Sequence, residues 1–253
     1  MLDQGVLNDR LFFPARHDVP DAFLVQSHGA RLACRRLAAF PEGGTLLHFH
    51  GNGESASDYA DGELAEILTN LGVNACFGEY RGYGMSSGVP SLVAMLSDGE
   101  AIVRALGVPP ERLVVYGRSI GSLYAIELVR RLPNVAGLIL ESGIADLLER
   151  ILVRVTPEDL DTTAAGLSRE VLAHFDNRLK LGGYRGPVLV LHARHDDLVR
   201  PHHAEKLHAW SGGADRELVI FPRGDHNTLI ALNFEDYSRR VGAFLRRVGM
   251  ASR

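Results

Sequence analysis

The segment Val114-Val115-Tyr116-Gly117-Arg118-Ser119-Ile120-Gly121-Ser122 holds a serine in a pattern that can turn it into a nucleophile. A serine hydroxyl attacks poorly until its backbone presents it to a base. A sharp turn from strand to helix does this, because it pushes the hydroxyl out of the sheet. Glycines are needed on both sides, since a Cβ at Gly117 or Gly121 would collide with neighbouring backbone. Residues 112–116 read as the strand and 120–132 as the helix. A glycine-bounded helix start with Ser119 near the cap would use the same residues. Partners must therefore decide whether Ser119 does chemistry.

A nucleophilic serine needs a base, and the base needs an orienting carboxylate. The chain has 11 histidines, so position has to select among them. His226, in Gly224-Asp225-His226-Asn227, follows the last strand pattern. In a doubly wound sheet the loops after the strands gather along one edge. Ser119 and His226 are expected to meet there. The carboxylate is expected after the preceding strand, where His192-Ala193-Arg194-His195-Asp196-Asp197-Leu198-Val199 offers two. Asp196 is preferred, Asp197 is the fallback, and Glu141 at the end of another strand is a third choice. The chain order Ser119, Asp196, His226 differs from that of the two well-known serine protease groups.

A tetrahedral oxyanion needs preorganised donors, usually backbone N–H groups. Ile120 follows the serine at a helix N-terminus, where the dipole favours negative charge. The loop Phe49-His50-Gly51-Asn52-Gly53-Glu54 supplies the second donor, with Asn52 preferred and Gly53 next. Gly53 and Tyr83 are candidate substrate contacts, Tyr83 lying in the glycine-rich bend around Gly82, Gly84 and Gly88. Arg81 and Arg118 flank the expected pocket, where they could bind an acidic group, with surface salt bridges as the default expectation. No metal and no other cofactor is expected. Neither His48 with His50 nor His202 with His203 has i, i+4 helical spacing or a matching carboxylate set. His48 is expected to pack inside its strand.

These residues need a scaffold, and strand and helix patterns alternate along the chain. Strands are predicted at 22–26, 31–38, 45–50, 73–80, 113–116, 135–140, 188–192 and 218–221. Helices are predicted at 61–71, 91–106, 119–132, 200–210 and 234–248. Near-continuous apolar strands alternating with helices build a parallel sheet covered on both faces. The first two strands are joined by Ser27-His28-Gly29-Ala30, which predicts an antiparallel edge hairpin. The class is therefore α/β: a doubly wound, mostly parallel eight-stranded sheet forming one domain over 1–253. The strandless interval between Gly143 and Gly186 breaks the rhythm. It reads as a small helical cap insertion over 144–185, with helical pieces at 145–155 and 167–175.

Composition narrows the class further. Apolar residues make up 46% and charged residues 23%, so an ordinary globular core is expected rather than disorder. The net charge of −4 with dispersed basic residues argues against nucleic acid as a partner. No apolar run approaches membrane length, so stable membrane insertion is not expected. The first residues lack the apolar core of a signal peptide, which makes the cytoplasm the expected location. Cys34 and Cys76 both fall in strands and are expected as buried thiols.

Four motifs stand in order: His50-Gly51-Asn52-Gly53, the stretch Glu79–Gly88, the Gly117–Gly121 turn, and His192–Val199 followed by Gly224–Asn227. Together they resemble an α/β-hydrolase of the serine hydrolase type over roughly residues 20–248. The stretch Glu79-Tyr80-Arg81-Gly82-Tyr83-Gly84-Met85-Ser86-Ser87-Gly88 resembles the branch of protein-depalmitoylating thioesterases and related short-cap bacterial hydrolases. The resemblance implies a Ser119, His226, Asp196 triad, an oxyanion donor at Asn52, and a small-molecule ester or acyl substrate bound through an ester, thioester or amide. Dehalogenases and epoxide hydrolases of this fold carry an aspartate at the turn, against which Ser119 speaks. The chain departs from the pattern at Ala193, at Val199-Arg200 and at Asp225. It has no cysteine before Cys34, so the lipidated membrane tether of that branch is not expected. A peptidase, an acyltransferase, or a non-catalytic binder of a hydrophobic ligand are the alternatives to an esterase or thioesterase.

Overall fold

The computed structural model describes residues 1–251. Its strands are β1 (Phe23–Ser27), β2 (Ala30–Leu37), β3 (Thr45–Phe49), β4 (Asn74–Gly78), β5 (Leu113–Arg118), β6 (Gly137–Glu141), β7 (Val188–Ala193) and β8 (Arg216–Phe221). They form one sheet in the order β1-β2-β4-β3-β5-β6-β7-β8. β1 pairs antiparallel with β2, and β2 antiparallel with β4. The remaining pairs are parallel. The expected doubly wound α/β sheet with an antiparallel edge is the observed one.

Strand sequence explains the two-sided core. Leu47, Val115, Leu138, Leu140 and Val190 pack on one face. Leu46, Val114, Ile139, Leu189 and Leu191 pack on the other. Alternation of side chains across a strand means that both sets must be apolar when both faces are covered. The order reversal places β3 and β5 side by side, and loops leaving their C-terminal ends meet in the crevice.

The helices are α1 (Gly5–Leu11), α2 (Ala56–Ala60), α3 (Glu63–Asn70), α4 (Asp98–Leu106), α5 (Gly121–Arg131), α6 (Leu147–Leu152), α7 (Ala164–Phe175), α8 (Asn177–Gly183), α9 (His202–Trp210) and α10 (Leu229–Arg247). Several differ from the sequence expectation. The stretch 91–106 splits into a 3-10 turn, Ala94–Ser97, and α4, which Gly107 ends in a left-handed cap. α10 begins five residues before the predicted start. Asn233 interrupts its helical backbone, and the Asn233 side chain donates to the carbonyls of Arg223 and Leu229. That break hides the first turn from a periodicity reading. α1 and α8 are seven residues each, too short for an apolar repeat to announce them. Among the described residues no helix is long and apolar enough to cross a membrane. Cys34 in β2 and Cys76 in β4 are free and buried.

The interval after β6 folds as α6, a 3-10 turn at Glu158–Leu160, α7 and α8. One buried carboxylate ties it to α5. Glu127 of α5 accepts from Arg130 and Arg131 on its own helix, and Lys180 of α8 lies 2.7 Å away. Burial opposes the charge on Glu127, but these three cations outweigh it and hold the carboxyl at about 2. Burial lowers the Lys180 ammonium in spite of Glu127, so the pair is worth less than the carboxyl alone suggests. A depressed carboxyl stabilises above its unfolded value and loses that contribution as pH falls. Glu127→Gln should therefore flatten the decline of the urea midpoint between about pH 4.5 and 2, by on the order of 2 kcal/mol. An unchanged acid limb in the variant would refute this role.

Candidate active site

β5 ends in Arg118, and the chain turns through Ser119 into α5. Ser119 sits at φ 51°, a left-handed conformation that costs a non-glycine residue about 1–2 kcal/mol. The neighbours make the turn feasible. A Cβ at Gly117 would lie 2.6 Å from the carbonyl of Gly121, and one at Gly121 would lie 2.2 Å from the carbonyl of Phe49. Both are clashes with backbone, as the sequence argument required. The turn is pinned by the Ser119 N–H, which donates to the Glu141 carbonyl at 2.9 Å. The Ser122 hydroxyl donates to the Ser119 carbonyl at 2.6 Å.

The loop after β8 carries His226 to this turn. Its Nε2 lies 3.0 Å from Ser119 Oγ, and its Nδ1 lies 2.8 Å from Asp196 Oδ2. The partners fix the tautomer. Nδ1–H donates to the carboxylate, which leaves Nε2 bare to accept the serine proton. Asp196 Oδ1 accepts the N–H groups of Leu198 and Val199, at 3.0 and 2.7 Å. Burial opposes the charge on Asp196, but the His226 hydrogen bond and these donors hold its carboxyl below the usual range. His192 of β7 braces the same loop by donating from Nε2 to the Val199 carbonyl at 2.7 Å. Burial lowers its pKa, in keeping with an unpartnered Nδ1. Of the three carboxylates weighed from the sequence, Asp196 is the one against His226. Asp197 is exposed, and Glu141 accepts from Arg118, Tyr116 and Tyr237.

The loop after β3 is built around His50. Its Nε2 lies 2.8 Å from Glu79 Oε1 and its Nδ1 lies 2.7 Å from the Gly51 carbonyl. Both nitrogens face acceptors, an arrangement that favours the charged ring. Burial works against that charge, and Glu79 outweighs it, so the His50 pKa is raised. With the Gly51 carbonyl turned toward His50, the trans Gly51–Asn52 peptide must turn its N–H the opposite way. Among the described residues neither the Asn52 nor the Ile120 N–H donates to a protein acceptor. The Asn52 side chain is spent on structure. Its Oδ1 accepts from the Phe13 N–H at 3.0 Å and the Tyr83 hydroxyl at 2.8 Å, and its Nδ2 donates to the Leu11 carbonyl. Gly53 stands exposed at the lip of the loop with φ 77°.

Tyr83 is corrected. It is fully buried, and its hydroxyl is engaged by Asn52 and Phe13, so it supports the loop from below and cannot touch a substrate. The glycine bend folds its ring inward, against His50 and Tyr80. The two arginines are corrected as well. Arg81 is buried and holds Asp98 through two bonds, at 2.8 and 2.7 Å. Arg118 is buried beneath the turn. His48 packs as expected, against Tyr59 at 4.1 Å and Tyr116 at 4.8 Å, and burial drives its pKa down.

The fold also supplies a carboxylate that the sequence reading did not assign to His202 and His203. Glu149 of α6 lies 3.2 Å from His202 Nε2 and 3.4 Å from His203 Nε2. A metal would need a bare Nε2 on His203. Its Nδ1 already accepts the Ala145 N–H at 3.1 Å, so the neutral ring keeps its proton on Nε2. The donor set thus does not fit a metal ligand at this position.

The profile of the family described as serine aminopeptidase, S33, matches residues 41–180. The chain is 29% identical over 231 residues to the α/β-hydrolase domain-containing protein WAV2 of Arabidopsis thaliana, covering 84% of this chain and 74% of that one. It is 31% identical over 192 residues to human α/β-hydrolase domain-containing protein 17B, covering 72% and 61%. Among solved structures, the Pyrococcus furiosus esterase Pf2001 superposes with a TM-score of 0.74 at 19% identity, covering 93% of this chain and 99% of that one. A Paleococcus ferrophilus monoacylglycerol lipase gives 0.68 at 20% identity, covering 86% and 99%. The profile match spans more than half of the chain, and the structural likenesses carry the same fold. The chain belongs to the α/β-hydrolase superfamily, within the family described as serine aminopeptidase, S33.

Proposed function

We propose that the chain is a serine hydrolase that cleaves an ester or thioester through an acyl-enzyme. The observation that carries this reading is His226, with Asp196 at 2.8 Å on one ring nitrogen and Ser119 at 3.0 Å on the other. His226 takes the Ser119 proton as Oγ attacks the acyl carbonyl. The N–H groups of Ile120 and Asn52 receive the oxyanion. His226 then gives its proton to the leaving alcohol or thiol, and Ser119 keeps the acyl group. Water attacks next, with His226 as base, and releases the acid and the free hydroxyl. Asp196 holds the tautomer and stabilises the imidazolium. The reaction needs no cofactor from these residues.

In this reading the substrate carries an apolar acyl or alkyl group. Phe13, Leu152, Val153 and Leu198 are large apolar side chains left exposed. Phe13 rides on Asn52, and Arg154 from just after α6 lies over its ring at 5.5 Å. In this reading residues 144–185 act as a cap that reaches the N-terminal segment through Arg154 and Phe13, and Gly53 lies along the substrate path. The family description favours a second reading, an amide substrate with an amine leaving group.

A p-nitrophenyl ester series of increasing acyl length, run beside a thioester and an aminoacyl amide, separates these readings. The ester series should show kcat/KM rising by up to about fourfold per methylene for as long as added methylenes are buried. Preference for the amide would replace the esterase reading, and negligible turnover of all three would sink both.

A further inference from the structure

We propose that Arg118 is a positioning residue whose single guanidinium sets the mutual register of the serine turn, the oxyanion loop and the histidine loop. The inference rests on the serine hydrolase reading above. Arg118 immediately precedes the serine, yet its side chain runs underneath the site and reaches each of the other parts. Its Nε donates to Glu141 Oε1 at 3.0 Å, at the end of β6. Its Nη1 donates to Glu54 of the oxyanion loop. Its Nη2 donates to the backbone carbonyl of His226 at 2.5 Å and approaches Asn227 Oδ1 at 3.5 Å. The carbonyl it holds belongs to the residue whose imidazole faces Ser119.

Glu54 extends the clamp. Its Oε2 accepts the Gly51 N–H at 2.6 Å and the Tyr59 hydroxyl at 2.8 Å. The oxyanion loop is thus fastened to Arg118 one residue before Asn52. The approach is so close that a Cβ on Gly51 would lie 2.6 Å from both Arg118 Nη1 and Glu54 Oε2. That gives the glycine of His50-Gly51-Asn52 a reason beyond the turn. Glu141 anchors the far side, where Tyr237 donates to its Oε2 at 2.5 Å and Tyr116 also donates.

The planar fork matters. Three nitrogens in fixed directions meet three separate segments, and the ammonium of a lysine, a compact point charge, cannot span them. Buried ion pairs of this kind are weak evidence for stability, because desolvation offsets the attraction. Arg118 precedes Ser119 in the chain and also holds Glu54 of the oxyanion loop and the His226 carbonyl, which points to geometry instead. A shift of about 1 Å between reacting groups can cost on the order of 100-fold in rate.

The test compares the full chain with Arg118→Lys and Glu54→Gln. Rates are taken on a p-nitrophenyl ester and normalised to titrated serine, and the downfield proton resonance of His226 Nδ1–H is recorded by NMR. Arg118→Lys should keep KM within about threefold, lose about 30-fold or more in kcat, and broaden or lose the resonance. A kcat within threefold of wild type with an unmoved resonance would overturn the proposal. If Arg118→Lys gives no cooperative unfolding transition, Glu54→Gln decides. It leaves Arg118 in place and should lower kcat about tenfold at constant KM. No change there would overturn the clamp. A wild type without turnover would sink the hydrolase reading separately. The resonance would then judge Arg118 alone, its loss in the lysine variant supporting the clamp and its persistence contradicting it.

Discussion

Ser119→Ala is expected to lower kcat on an ester by on the order of 10⁵- to 10⁶-fold while the protein stays folded. Removing Oγ removes the atom that would bond to the acyl carbon, and no other hydroxyl stands in its place. The nearby Ser122 hydroxyl is occupied, donating to the Ser119 carbonyl and accepting the Ile144 N–H. The fold should tolerate the change. Alanine keeps the Cβ that serine already carries at φ 51°, and the lost bond to His226 is a single one. Residual activity above the uncatalysed rate should remain, because the Ile120 and Asn52 donors are untouched. Circular dichroism and a thermal melt beside the kinetics check both halves. Loss of activity through loss of fold would not count for the nucleophile, and a kcat within tenfold of wild type would exclude Ser119.

Asp196→Asn should cost on the order of 10⁴-fold in kcat, for a reason visible in the hydrogen bonds. Asp196 Oδ1 accepts two backbone N–H groups, so the amide oxygen of asparagine must stay at that position. Its NH₂ is then forced toward His226 Nδ1. A donor there selects the tautomer with the proton on Nε2, and such a ring cannot take the serine proton. The substitution also removes a carboxyl held below its usual range by His226 and the backbone donors. Such a group stabilises the fold above the unfolded carboxylate value, and that contribution fades as pH falls through the lowered folded value. The variant should therefore be less stable at neutral pH and closer to wild type in strong acid. Denaturant titrations across pH check the sign. Near-normal kcat in Asp196→Asn would transfer the role of the acid elsewhere, with exposed Asp197 the first alternative.

The parts of the site that could be read from sequence are those set by backbone geometry and chain order. Gly117 and Gly121 announce the turn because backbone passes within clashing distance of each. His226 and Asp196 follow consecutive strands, and parallel strands deliver their loops to one edge. What escaped depends on which way side chains face. Tyr83 and Arg118 sit in segments that flank the site, but both turn inward, into aromatic packing and a buried ion cluster respectively. Nothing in the type or spacing of one residue reports that choice. Glu149 meets His202 and His203 only because α6 lies against α9, a contact separated by 53 residues in sequence. The N-terminal segment escaped for another reason. α1 is seven residues long and carries no repeat, yet it delivers Leu11 and Phe13 onto Asn52.

Covalent labelling tests the central claim most directly. The wild-type protein is treated with a fluorophosphonate probe, digested and read by mass spectrometry, with Ser119→Ala alongside. The account predicts one phosphonylated peptide, modified at Ser119, and none in the variant. A label that persists in Ser119→Ala, or a wild type that hydrolyses esters while Ser119 stays unmodified, would contradict it.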